Sequence, residues 1–384
     1  MRYVALDLDK NDAYVGIFDS ETQQRHQERV PLMRDPISLN RFVESLRPDD
    51  VVVMEAQPCS FFLHDLFKPM VKDVHILESH WFGGLLDRGE VKNDRNDTGV
   101  MLDCAQANVL RTVWVPSEEV RAQRLAAMHY RQLDKERTRA INRCHAILTD
   151  YGLASLAAEL LKTHVKRVVI KLQGRMPRKA LTVLASTMRL LRSVEEELSL
   201  ARAEIEATIQ PQRDIVVTLP GMDSIFAHAA LACIGDVTRF KTADSLTNYC
   251  LAPSLNSTGG KTRHGRTKRR GSALLRWAMV EAANCAKRSK GKLGNFYLKK
   301  QRSRGHHKAI VALARKMLEI LWHMLTKNEP YRDVQPEAAL RKQQRRNRKF
   351  HQAQQVLRNK PDPIETLKQN IGTVREIFQI MARE

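Results

Sequence analysis

Short apolar runs separated by polar breaks organise the first eighty residues. Tyr3-Val4-Ala5-Leu6-Asp7 reads as a buried strand that ends in a carboxylate. The Asn11-Asp12 pair signals a turn, and Ala13 to Phe18 reads as a second strand, so the two predict a hairpin. Val30-Pro31-Leu32 is expected to add a third strand. Ser38 to Leu46 has helical apolar spacing and stops before Pro48. Val51 to Glu55 is another apolar run closed by a carboxylate, Phe61 to Phe67 reads as a helix, and Val74 to Glu78 as a strand. Hairpin strands followed by alternating strands and helices predict an α/β domain with a mixed sheet.

The pattern then turns helical. Ser117 is placed to cap a long helix with Glu118 and Glu119 in its first turn, running to about Leu148 before a break at Asp150-Tyr151-Gly152. Between Thr182 and Gln210, Leu191, Val194, Leu198, Ala201 and Ile205 alternate spacings of three and four, the seam of a helical hairpin or coiled coil. That seam suits packing within one chain and pairing of protomers equally. A Leu219-Pro220-Gly221 turn leads into an Ala-rich helix, Ile225 to Ile234, and Thr242 to Cys250 predicts another. Further helices are expected over Ser272 to Ala286 and Ala309 to Leu325, with Gly291 to Gly294 as a separator. The basic, helix-permissive run Arg341 to Lys349 forms an extension, and Pro361 and Pro363 divide it from a last short helix, Ile364 to Met381.

Charge changes this picture. The 384 residues carry a net charge of +21, which points to polyanionic partners. Residues 1–113 hold 13 basic and 19 acidic residues, whereas residues 261–308 hold 16 basic residues and one acid, Glu281. Two regions with two tasks are implied. No apolar run reaches membrane-spanning length, and Asp7 and Asp9 break the opening strand, so no signal peptide is expected. The six cysteines contain no Cys-x-x-Cys pair and suit reduced thiols in a cytoplasm.

Two groups carry candidate chemistry. Asp7 and Glu55 end strands, and would emerge at one sheet edge if those strands are neighbours. Asp94 and Asp97 are three apart, so a helix starting there presents both on one face. Converging carboxylates need cations between them, and hard oxygen ligands favour Mg²⁺ or Mn²⁺. Each acid alone also suits a turn or a helix cap, and Asp9 shares the strand face of Asp7. The second group is the loop Leu251 to Lys261, with Ser257 and Thr258 followed by Gly259 and Gly260. Lys261, Arg263, Arg266, Lys268, Arg269, Arg270 and Arg276 follow, with Trp277, Phe296 and Tyr297 nearby, a composition that suits phosphate-backbone binding.

The ordered set of motifs, from the strand-terminal Asp7 and Glu55 through Asp94-x-x-Asp97, the helical spacer and Leu-Pro-Gly to the Pro-rich Ser/Gly segment, resembles the insertion sequence 110 family of DEDD transposases. That family includes Piv-like invertases and bridge-RNA-guided recombinases, and the Leu-Pro-Gly and Ser/Thr-Gly-Gly-Lys pieces look most like its 1111 subgroup. The likeness covers about residues 3–325. It implies a RuvC-like (RNase H-type) α/β domain over 1–113 and a coiled-coil spacer over 114–210. A mainly α transposase domain over 211–330 and a basic extension over 331–384 complete the expected layout.

The resemblance also implies Mg²⁺ on Asp7, Glu55, Asp94 and Asp97, a serine that attacks DNA to give a covalent phosphoserine, a structured guide RNA, dimers or tetramers, and a nucleoid-associated bacterial protein. Counting forward from Pro253 puts the nucleophile on Thr258, and counting back from Gly271 puts it on Ser257. The less hindered primary hydroxyl favours Ser257, with Thr258 as the alternative. The competing readings are a metal-dependent nuclease or junction resolvase that uses water, and a non-catalytic nucleic-acid-binding protein.

Overall fold

β1 (Arg2–Leu8), β2 (Ala13–Asp19), β3 (Gln24–Val30), β4 (Val51–Glu55) and β5 (Asp73–Leu77) form one sheet in the order β3-β2-β1-β4-β5. The first three strands are antiparallel neighbours, while β4 runs parallel to β1 and β5 parallel to β4. This is a mixed sheet of RNase H-like order. The computed structural model describes residues 1–86, 93–160, 172, 174–258, 261–267, 271–333, 336–360 and 366. The chain divides into two compact units, Met1–Pro116 and Ser117–Glu384.

Strand alternation gives the first unit two apolar faces. Val4, Leu6, Leu8, Val52, Met54 and Ile76 pack with Phe42 of α1 (Pro36–Ser45) and with Leu63 and Phe67 of α2 (Ser60–Phe67). On the other face Ala5, Val53 and Leu77 pack with Phe82 of α3 (Ser79–Leu86) and with Met101, Leu102 and Ala105 of α4 (Asp94–Gln106). The third strand is not Val30-Pro31-Leu32. It is the polar Gln24–Val30, largely exposed at the sheet edge, and it ends before Pro31, which lacks a backbone donor. Charged edge residues of this kind discourage pairing with other chains.

In the second unit α5 (Glu118–Asp150) is capped by Ser117, whose hydroxyl accepts from Val120 N at 3.4 Å. After α6 (Ala154–Leu160), α7 (Arg178–Ala207) packs against α5. The expected seam is filled within the chain: Ala201 and Ile205 meet Tyr130 and Leu133, and Leu184 meets Cys144 and Leu148.

A second bundle comprises α8 (Arg213–Val216), α9 (Ser224–Ile234), α10 (Ala243–Leu251), α11 (Ala273–Ala286), α12 (Lys292–Arg304) and α13 (His306–Lys327). Its core includes Leu275, Met279, Leu313, Met317 and Leu321. The expected Gly291 to Gly294 separator is shorter than its sequence suggests. α12 starts at Lys292 and takes in Gly294, where a Cβ would lie 2.1 Å from the Ser289 carbonyl oxygen. α14 (Pro336–Arg358) lies along α7, with Ala353 buried and Lys349 Nζ 3.5 Å from Glu206 Oε1. Apart from Thr366, the expected helix Ile364 to Met381 lies outside the described residues.

Between α10 and α11 the expected hydroxyl loop is instead a hairpin, β6 (Pro253–Thr258) paired antiparallel with β7 (Lys261–Thr267). Its strands are polar and lack apolar alternation, so periodicity carries no signal for them. Gly259 and Gly260, the expected turn, lie outside the described residues.

Candidate active site

Leu6 of β1 pairs with Met54 of β4 in parallel register. Asp7 and Glu55 are the next residues, at the same carboxyl-terminal edge and on the face that carries Ala5 and Val53. Both are half-buried. Ser60 fixes the end of β4, its hydroxyl donating to the Glu55 carbonyl oxygen at 2.8 Å.

α4 brings the other two acids to this edge. Gln27 Nε2 donates to Thr98 Oγ1 at 3.0 Å, and Gln27 pairs with Gly16, which pairs with Ala5. Farther along the helix Asp103 is paired with Arg25, which lies on the row of Phe18 and Tyr3. The helix therefore runs antiparallel to β1, with its first turn toward the Asp7 end. Asn93 caps it, accepting from Asn96 N at 2.8 Å. Asp94 is exposed and Asp97 buried in that turn.

The four acids share one edge of one unit. Among the described residues, no three His, Cys, Asp or Glu side chains stand together as a ready ion site. The donor chemistry fits Mg²⁺ or Mn²⁺ in their common mode, with one or two carboxylates and the remaining positions held by water and phosphate oxygen. Asp9 is a turn residue: its N–H donates to the Asp12 carbonyl at 2.9 Å and its carboxylate accepts from Lys10 N at 2.7 Å.

The hairpin belongs to the other unit, and its two ends are anchored. Arg276 Nε donates to the Cys250 carbonyl oxygen and Arg315 to the Leu251 carbonyl oxygen, both at 2.7 Å, so the end of α10 is satisfied just before β6. Arg276, expected on nucleic acid, thus has a structural bond as well. Arg315 lies 64 residues from Leu251, and no local motif announces it. At the exit, Gly271 has φ +65° and passes so close to α10 that a Cβ would sit 1.6 Å from the Tyr249 carbonyl oxygen. Ser272 then caps α11, accepting from Leu275 N at 3.1 Å.

Within the hairpin Ser257 pairs with Thr262, Thr258 with Lys261 and Asn256 with Arg263; Arg266 also lies on β7. Lys268, Arg269 and Arg270 lie outside the described residues. The aromatics expected beside the basic run are packed in the protein. Trp277 meets Phe226 edge-on at 5.6 Å, Phe296 packs on the bundle core, and buried Tyr297 bonds His306 Nδ1 at 2.7 Å. Apolar burial outweighs a stacking role for these three.

Residues 213–298, from α8 through the hairpin into α12, match the model described as the transposase IS116/IS110/IS902 family. Over these residues the chain carries a segment similar to the IS116/IS110/IS902 transposase family. The transposase for insertion sequence element IS1111A of Coxiella burnetii is 28% identical over 253 residues, covering 63% of this chain and 68% of that protein. An uncharacterized 44.8 kDa protein of insertion element IS116 from Streptomyces clavuligerus is 28% identical over 290 residues, covering 62% of this chain and 72% of its own. The transposase for insertion sequence element IS1328 of Yersinia enterocolitica is 24% identical over 341 residues, covering 84% of this chain and 96% of its own. The part of the chain that the family model matches therefore includes the hairpin and its Gly271 anchor. Among the described residues, no helix is long and apolar enough to cross a membrane.

Proposed function

We propose that this chain is the transposase of an insertion sequence and that it cuts and rejoins DNA through a hydroxyl of β6, with Asp7, Glu55, Asp94 and Asp97 as the metal-binding acids. The observation that carries this reading is the shared edge: parallel register sets Asp7 beside Glu55, and α4 delivers its acidic first turn to the same end. Bound Mg²⁺ or Mn²⁺ would polarise the scissile phosphate and stabilise the leaving oxygen.

The remaining work falls to the chain itself. Ser257 Oγ is the proposed nucleophile, with Thr258 as the alternative. Its oxygen forms a bond to phosphorus, a bridging P–O bond breaks, and the departing sugar oxygen takes up a proton. A sugar hydroxyl of a second strand then attacks the phosphoserine and releases the serine. Successive strand positions lie on opposite faces, so only one of the two residues serves a phosphate on a given face. Lys261, Arg263, Arg266, Lys268, Arg269, Arg270 and Arg276 are the proposed phosphate ligands.

The acids and the hydroxyl belong to different units of the chain. Their meeting on one phosphate, within one subunit or across a dimer or tetramer, is part of the proposal. So is a structured guide RNA, which rests on resemblance to bridge-RNA-guided members of the family. The decisive experiment incubates the purified chain with element-end DNA and Mg²⁺, then separates protein–DNA adducts on a denaturing gel. An adduct is expected from the parent and from one of Ser257→Ala and Thr258→Ala, but not from the double variant or from Asp7→Asn. Strand cleavage that survives the double variant would assign the chemistry to water. Sequencing of the RNA that co-purifies tests the guide.

A further inference from the structure

The second unit contains a cavity of about 380 Å³ remote in sequence from β6 and β7, where the Leu-Pro-Gly turn, the start of α12 and α14 come together. Its walls combine an apolar part, Val217, Pro220, Leu293 and Tyr331, with the cations Lys290, Lys292, Lys342 and Arg346. The two carboxylates in the wall are already engaged. Asp214 pairs with Arg346 at 2.5 Å, and Asp333 accepts from the Lys292 backbone N–H at 3.2 Å. Lys290 and Lys292 are exposed at the rim. Lys342 is held by the Leu219 carbonyl oxygen at 3.2 Å, and burial lowers its pKa to about 8. Ser289, also in the wall, has a buried hydroxyl oxygen with no hydrogen-bond partner among the described residues. An anion acceptor would use this surplus of donors.

We infer that this cavity binds one nucleoside monophosphate unit, with its phosphate at Lys290, Lys292 and Ser289 and its base against Tyr331, Val217 and Leu293. The volume is within the range of small-ligand sites, roughly 300–1,000 Å³, and does not admit a duplex. Apolar walls and an aromatic ring supply stacking that an inorganic anion does not need. The unit can come from an unpaired residue of a nucleic-acid strand or from a free nucleotide. The strand source rests on the proposed DNA chemistry; the binding chemistry does not.

The test titrates the full chain with deoxyadenosine monophosphate, inorganic phosphate and deoxyadenosine, followed by calorimetry and by saturation-transfer NMR. One saturable site for the nucleotide is expected, with phosphate and deoxyadenosine each weaker by about tenfold or more. Tyr331→Ala should weaken the nucleotide about tenfold, as loss of one base–aromatic stack does. Lys290→Glu, at an exposed position, should weaken it without disturbing the fold. A duplex with a bulged 2-aminopurine identifies the source: quenching assigns the pocket to a strand, and nucleotide binding without quenching assigns it to free nucleotide. No saturable nucleotide binding, or equal affinity for nucleotide and phosphate with no effect of either variant, overturns the inference. Asp7→Asn should bind the nucleotide as the parent does while losing adduct formation, so the pocket and the proposed active site fail independently.

Discussion

Arg2 and Asp50 form a two-pronged ion pair inside the first unit, Nε to Oδ1 at 2.7 Å and Nη2 to Oδ2 at 2.6 Å, with the Asp50 carboxylate fully buried. It joins the start of β1 to the turn before β4, the two strands that carry Asp7 and Glu55. The carboxylate hydrogen bond raises the pKa of Arg2. Asp50→Ala leaves a largely buried guanidinium uncompensated and should cost about 3–5 kcal/mol. Urea unfolding of the full chain checks this; an unchanged first transition would show that the pair contributes nothing net.

Gly271 should not tolerate a side chain. Its positive φ and the Tyr249 carbonyl 1.6 Å from a Cβ position make Gly271→Ala destabilising by more than about 1 kcal/mol. Gly84 lies within α3, and an added Cβ there meets nothing within 4 Å. Gly84→Ala should stabilise by roughly 0.5–1 kcal/mol. Thermal melts of the two variants should move in opposite directions.

His228 links stability to pH. It is fully buried, its pKa is lowered from 6.5 to about 4 chiefly by desolvation, and its Nε2 lies 3.1 Å from the Gln123 carbonyl oxygen. Above about pH 6.5 the ring is neutral in both folded and unfolded chains, so its contribution is at full value. As pH falls toward 4 the unfolded ring gains a proton that the folded ring refuses, and stability drops by about 3 kcal/mol. His228→Gln should flatten this part of the stability profile, which denaturant melts between pH 7 and 4 would show.

Salt dependence measures the proposed DNA surface. Replacing Lys261, Arg263 and Arg266 of β7 by Gln should reduce the slope of log affinity against log salt by about 0.9 for every phosphate no longer neutralised. Fluorescence anisotropy with duplex DNA between 50 and 200 mM salt, roughly the range over which phosphate neutralisation governs affinity, provides the check. A slope equal to that of the parent would remove β7 from the interface.

Much of the fold was legible in local pattern. The caps at Asn93, Ser117, Thr242 and Ser272 all accept the backbone N–H three residues on, because a cap needs only nearby atoms. The α7 seam was legible too, but whether it was filled by α5 or by a second chain depended on the packing of distant segments. β3 and the β6–β7 hairpin are not legible in local pattern, because polar strands lack apolar alternation and pairing with a neighbour makes them strands. Trp277, Phe296 and Tyr297 beside a basic run looked like a stacking surface, yet their rings found apolar partners.

The linear chain determined the apolar periods, the helix caps, the uneven charge and the identity of every candidate acid and hydroxyl, since each depends on residue type and near spacing. Tertiary structure decided the rest. Parallel pairing of Leu6 with Met54 set two acids 48 residues apart at one edge, and the direction of α4 added two more. Arg315 reached Leu251, and α14 closed the wall of a cavity. The physical reason is that register, helix direction and cavity walls are properties of pairs of distant surfaces, settled only when burial brings those surfaces together.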